Sequence, residues 1–242
     1  MKFVELILSA MAALIALTLH EYAHGYAAYK LGDNTAKAMG RLSLNPIDHI
    51  DPLGALCMIL FHFGWAKPVP INPLNFKNPK KGFAITAMAG PLTNLVLGFF
   101  TTFIYVLCAN TFKVSNSAFI NSFEKNILLF LVYFFSINIG LAIFNLIPVP
   151  PFDGSRILNV ILPDRWYFKI MRYERQIYYG VIAWLFLGRF IYSGLVSIPF
   201  IANSAFLSGL FKIFSLSDIL SDTISTITFG LIRMWSALPF FR

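Results

Sequence analysis

The chain has 242 residues, of which 57% are hydrophobic and 12% charged, with a formal net charge of +8. Soluble domains carry about 25% charged residues, so this composition excludes an ordinary soluble domain and places the chain in a lipid bilayer. The basic residues fall in loops between apolar runs, with no basic-aromatic stripe. That excludes nucleic acid as a partner and makes the charge a statement about membrane topology and anionic lipid.

The first apolar run, Phe3 to Lys30, is long enough to span a bilayer as a helix, and Gly32-Asp33-Asn34 ends it. Its last third carries His20-Glu21-Tyr22-Ala23-His24, an H-E-x-x-H pattern. On a helix the two histidines stand one turn apart on one face and can reach a single ion. Glu21 lies beside them, where it can take a proton from water at that ion, as in a zinc hydrolase. The run has some likeness to a secretory signal. Its basic start is weak, Glu5 interrupts it, and cleavage would remove the histidines, so it is expected to be retained.

Residues 33–52 are polar. Leu53 to Phe63 is apolar but too short to cross, so a re-entrant piece is expected. Residues 64–81 contain Pro68, Pro70 and Pro73, which disfavour helix and favour an extended, edge-strand-like segment near the site. Such a segment could offer its backbone to an extended substrate. A second span is expected from Gly82 to Ala109, interrupted at Ala89-Gly90-Pro91-Leu92-Thr93-Asn94, as happens where a helix packs tightly or lines a site. A polar loop at 110–125 precedes a third span, Asn126 to Ile147, which ends in Pro148-Val149-Pro150-Pro151-Phe152-Asp153-Gly154. Residues 155–175 are basic. A further span runs from Ile177 to Ile201, and Phe206 to Phe241 forms one more span or an interfacial helix, with a break near 215–222.

The fold class is therefore an all-α polytopic membrane protein of about five to six transmembrane helices plus a short re-entrant or extended segment. Residues 1–201 form the core and 202–242 a C-terminal apolar extension. Lys and Arg concentrate in 30–41, 64–81 and 156–175, which puts these segments in the cytoplasm, the N-terminus outside and His20 and His24 toward the cytoplasmic face. Cys57 and Cys108 lie in apolar runs and read as two buried thiols. His49 and His62 read as interfacial histidines satisfied by water, with a place near the site entrance or beside a ligand as the alternative for His49, and Asn94 reads as helix-packing glue.

A catalytic zinc site of this kind needs a third protein ligand. Asp153 follows a proline-broken helix end on the same side as His24, where a carboxylate can point into a cavity. A turn-capping role is its alternative. His20-Glu21-Tyr22-Ala23-His24 together with Asn145-Leu146-Ile147-Pro148-Val149-Pro150-Pro151-Phe152-Asp153-Gly154 resembles the site-2 protease family of intramembrane zinc metalloproteases, whose second motif reads N-x-x-P-x-x-x-x-D-G. Segments 40–54, 64–72 and 89–94 also look like its compact bacterial branch, and the likeness covers about residues 15 to 160. The resemblance implies one Zn2+ per chain held by His20, His24 and Asp153, Glu21 as catalytic base, and Asn145 as a polar group near the substrate carbonyl. It implies a cell-membrane endopeptidase whose partners are a membrane-protein substrate helix and the lipid bilayer. Relatives with PDZ or CBS domains are longer than this chain. The competing reading is an inactive metal-binding scaffold or a metal transporter. A transporter would spread polar ligands along a path, whereas here they converge at one depth.

Overall fold

The computed structural model describes residues 3–54, 66–112, 116–204, 207–208, 212 and 215–239. The expected re-entrant run Leu53 to Phe63 falls largely outside the described residues, as do Cys57 and His62. The helices are α1 (Phe3–Lys30), α2 (Thr35–Ala38), α3 (Pro79–Thr111), α4 (Ala118–Asn145), α5 (Asp153–Ile161), α6 (Asp164–Arg172), α7 (Glu174–Val196), α8 (Pro199–Ala202) and α9 (Leu216–Ser236), with 3-10 turns at Pro46–His49 and Pro73–Asn75. Among the described residues there is no strand, only an isolated antiparallel bridge between Ile50 and Ala66. The protein is thus an all-α membrane protein, and α1, α3 and α4 are each long and apolar enough to cross a bilayer.

Two boundaries differ from expectation for identifiable reasons. Helix α4 begins at Ala118, inside the stretch read as a polar loop, because Ser117 accepts the Ile120 N–H and starts the helix early. Helix α9 runs through the expected break at 215–222. Ser215 and Asp218, which look like loop residues, sit at its start, where the Ser215 hydroxyl donates to Asp218.

Helix α1 packs on both α3 and α4, and these two pack on each other. The contacts follow a spacing of four. In α3 the residues Gly82, Thr86, Gly90, Asn94, Gly98, Thr102 and Val106 are all buried. In α1 the matching row is Ala12, Ala16, His20, His24 and Ala28. Rows at i±4 are natural packing ridges, and small residues on them let backbones approach closely. Gly98 shows how closely: a Cβ there would lie 2.8 Å from Ile139 Cγ1 of α4. Large apolar side chains such as Leu6, Met11, Leu92, Phe100 and Ile104 point outward instead. Small and polar inside with large and apolar outside is the arrangement of helices solvated by lipid.

Helix α9 closes on the same bundle, packing against α3 and α4. Its Trp235 Nε1 donates to Thr102 Oγ1 at 3.1 Å and its ring meets Phe99 and Phe103.

The loops after α1 are tied down by Asp33, which is fully buried. Its carboxylate accepts from Thr35 N (3.1 Å) and Thr35 Oγ1 (2.5 Å), from Asn72 N (2.7 Å) and from Asn75 Nδ2 (2.7 Å). Burial pushes this carboxyl up, but the donors from Thr35, Asn75 and Asn72 outweigh it and hold the group below its usual value of 3.8. A lowered folded-state value means that the carboxylate stabilises the fold above about pH 4 and that this contribution is lost as pH falls further. Asp33→Ala is expected to cost about 2 kcal/mol and to flatten the acid limb of a thermal-unfolding series below about pH 4. An unchanged acid limb in the variant would remove Asp33 as the anchor.

Candidate metal centre

Three acceptor atoms converge at one depth of the bundle. His20 Nε2 and His24 Nε2 lie 3.0 Å apart, and Asp153 Oδ2 is 3.2 Å from each. The rings are nearly perpendicular, at 89°. Both histidines are buried, and 22% of the Asp153 side chain is exposed. Helix α1 brings the histidines together by their i, i+4 spacing. Asp153 arrives from the first turn of α5, where the helix dipole favours a carboxylate. Gly154 makes that approach possible: a Cβ there would stand 2.4 Å from the Leu146 carbonyl oxygen, inside the folded-back proline loop.

The hydrogen bonds on the far side of each ring decide what the trio can hold. His20 Nδ1 is 2.5 Å from Asn94 Oδ1, and His24 Nδ1 is 2.8 Å from the Thr86 carbonyl oxygen. Oxygens of this kind only accept, so each Nδ1 carries the hydrogen and each Nε2 presents a lone pair. Asp153 Oδ2 is a buried acceptor with no hydrogen-bond partner. Three lone-pair atoms facing one another with no hydrogen between them repel unless a cation joins them. Two imidazoles and a carboxylate, each ring anchored by an acceptor behind it, are the donor set of a catalytic zinc site with a position left open. The residues therefore fit a zinc ion.

Helix α3 forms the wall behind the imidazoles. A Cβ at Gly90 would lie 2.4 Å from His24 Nε2 and 2.6 Å from His20 Cε1. Pro91, one residue on, has no N–H for the Ala87 carbonyl and so interrupts the helical ladder beside the Thr86 carbonyl that His24 uses. The interruption at 89–94 therefore lines the site, and Asn94, expected to be packing glue, makes direct contact with His20.

The front of the site is formed by the segment after the isolated bridge. Val69 N donates to Glu21 Oε2 at 2.9 Å, and the Val69 side chain packs where Gly25 leaves room, 3.1 Å from the position of an added Cβ. Arg41 holds the same segment by donating to the Lys67 carbonyl oxygen at 2.9 Å. His49 is buried in the protein and not bathed in water; its Nε2 donates to the Ser43 carbonyl oxygen and its own carbonyl accepts from Lys67 N. Asn145 does not join the trio by a hydrogen bond: its amide donates one turn back to the Leu141 carbonyl oxygen at 3.0 Å.

The profile of peptidase family M50 matches residues 8–188 of this chain. The chain belongs to peptidase family M50. This is the site-2 protease family that the two motifs resemble, and the protein is accordingly a zinc metalloprotease of the membrane. YwhC of Bacillus subtilis (strain 168), which bears a provisional name as a zinc metalloprotease, is 39% identical over 174 residues, covering 72% of this chain and 76% of its own. The zinc metalloprotease MJ0392 of Methanocaldococcus jannaschii is 29% identical over 153 residues, 63% of this chain and 33% of its own. Rip2 of Mycolicibacterium smegmatis, also provisionally named a zinc metalloprotease, is 24% identical over 151 residues, 60% of this chain and 54% of its own. No solved structure matches the chain.

Within this M50 chain the sequence motifs mark His20, Glu21, His24 and Asp153, and the structure brings these four groups to one end of the bundle. Sequence reasoning included Gly90 in the interruption that packs tightly or lines a site, but it missed Thr86 and Val69. Thr86 had a signal, since it falls with Gly90 and Asn94 on the four-residue stripe of α3. Val69 had none, because it acts through its backbone N–H.

Proposed function

We propose that this M50 protein is an intramembrane endopeptidase that hydrolyses a peptide bond within or near a transmembrane segment of another membrane protein, using one zinc ion held by His20, His24 and Asp153. The observation that carries this reading is the convergence of three hydrogen-poor acceptor atoms in a lipid-facing bundle, with the Glu21 carboxylate on the next residue. An ionisable group at membrane depth is costly and marks function. When bound, zinc supplies a Lewis acid that polarises the scissile carbonyl and lowers the pKa of the adjacent water toward about 7.

The chain's own residues do the rest. Asn94 and the Thr86 carbonyl keep the Nε2 lone pairs of His20 and His24 turned toward the ion. The Val69 N–H fixes one oxygen of Glu21, leaving the other to take the proton from water and deliver it to the leaving amine. The substrate must present its scissile bond in extended form, since a helix hides its carbonyls, and residues 66–72 run beside Glu21 where such a strand would lie. Asn145 at the end of α4 is close in sequence to the Asp153 loop and serves the substrate carbonyl once its amide leaves Leu141. In the cell membrane, α7 and α9, of 23 and 21 residues, bring the spans to about five. The basic segments support a centre that faces the cytoplasm, from which water enters.

The test is cleavage of reporter transmembrane helices by the purified protein in detergent, with bound zinc quantified. Cleavage that stops on chelation, returns with zinc and maps inside the apolar segment supports the proposal. A protein that holds zinc but cuts none of a varied reporter set would favour a metal-binding scaffold, and cuts confined to soluble loops would overturn the intramembrane assignment.

A further inference from the structure

One hydrogen-bonded chain crosses all three long helices at the level of the metal centre. The Phe134 carbonyl oxygen of α4 accepts from Asn138 Nδ2 at 2.8 Å. Asn138 Oδ1 accepts from Asn94 Nδ2 of α3 at 2.7 Å. Asn94 Oδ1 accepts from His20 Nδ1 of α1 at 2.5 Å. Both asparagines are fully buried. A free amide can present either its oxygen or its nitrogen, and the two ends are nearly isosteric. Here the ambiguity is removed from one end. A backbone carbonyl can only accept, so Asn138 must turn its nitrogen to Phe134 and its oxygen to Asn94. Asn94 must then turn its nitrogen to Asn138, with the Ala16 carbonyl oxygen at 3.4 Å reinforcing that choice, and its oxygen to His20. His20 must carry its hydrogen on Nδ1.

We propose that Asn138 is a positioning residue for the metal centre: it sets the orientation of the Asn94 amide and, through it, which nitrogen of His20 is offered to the ion. The inference rests on the assignment of His20 as a zinc ligand. It goes further by making the tautomer of a ligand on α1 depend on a backbone carbonyl of α4 through two side-chain amides. Without Asn138 only the longer Ala16 contact at 3.4 Å opposes a flip of the Asn94 amide; the flipped amide brings its own N–H groups against the His20 Nδ1–H, and the ring then loses its reason to present Nε2. An aspartate at position 94 has two acceptor oxygens and nothing to flip, so in that background Asn138 has no orientation left to set.

The experiment is a double-substitution cycle on the full-length chain in detergent, read as zinc affinity by competition with a chromophoric chelator. Each variant is first checked for a cooperative thermal transition in its apo form. Loss of an outer-shell partner typically weakens metal binding 10–100-fold. Asn138→Leu is expected to weaken zinc binding by about tenfold or more in the presence of Asn94. In the Asn94→Asp background the same substitution should change affinity by no more than about twofold. Asn138→Ala carries the same two expectations if the leucine variant fails to fold. Equal weakening in both backgrounds would make Asn138 ordinary helix glue and overturn the proposal, as would no weakening in either. Failure of the wild type to bind zinc would instead strike at the metal site itself.

Discussion

Glu21→Gln is expected to keep its zinc and to lose cleavage by about 10²–10⁴-fold, the range for removal of a positioned general base. The substitution is clean because of how Glu21 is held. Its Oε2 accepts the Val69 N–H at 2.9 Å, and the carbonyl oxygen of a glutamine can accept the same bond. The side chain keeps its length, its half-buried position and its contact with the 66–72 segment. What it loses is the ability to take a proton. Neither imidazole depends on Glu21, since their Nδ1 atoms are anchored on α3. Zinc content by metal analysis should therefore equal that of the wild type while single-turnover cleavage of a reporter helix disappears. A glutamine variant that still cut at a tenth of the wild-type rate would move the base elsewhere, and one that lost zinc would make Glu21 part of the metal site.

The sequence displayed the reacting groups more plainly than the groups that hold them. H-E-x-x-H and the Asp153-Gly154 ending are dense in polar side chains at lipid depth, where the cost of burying such groups ties them to a metal or to chemistry. Helix α1 was legible from end to end because its apolar run, its Lys30 and Gly32 punctuation and its histidine spacing agree. The start of α4 was not, because Asn121, Glu124 and Lys125 read as loop although they lie on a helix that Ser117 caps. Asn94 and Asn138 were visible as asparagines in apolar helices, yet a single polar residue in a span is equally good as interhelical glue. Only their order in space, with the Phe134 carbonyl at one end and His20 at the other, gives them direction. The Val69 contact was beyond any side-chain reading, since a backbone N–H carries no residue signature.

Gly90→Ala is expected to remove the metal centre, although helix propensity predicts the opposite sign. Alanine is favoured over glycine by about 1 kcal/mol in a helix interior, so the exchange should stabilise α3 if only α3 mattered. The added Cβ would lie 2.4 Å from His24 Nε2, 2.5 Å from His24 Cε1 and 2.6 Å from His20 Cε1. Side-chain atoms can often yield to such a clash, but these two rings have little freedom. Each is tethered through Nδ1 to α3, His24 to the Thr86 carbonyl and His20 to Asn94. The tethers sit one turn before and one turn after Gly90 on the same stripe. To clear the methyl group the rings must let go of both, and their Nε2 atoms then leave Asp153. Zinc affinity should fall by more than the 10–100-fold typical of a lost outer partner, and cleavage should vanish with it. Gly230→Ala in α9 is the control, because nothing stands within 4 Å of its added Cβ. It should leave zinc binding intact and raise thermal stability slightly. If Gly90→Ala bound zinc as the wild type does, α3 could not be the wall behind the imidazoles. The four-residue stripe would then serve helix packing alone, and the tethers from Thr86 and Asn94 would lose their place in the metal site.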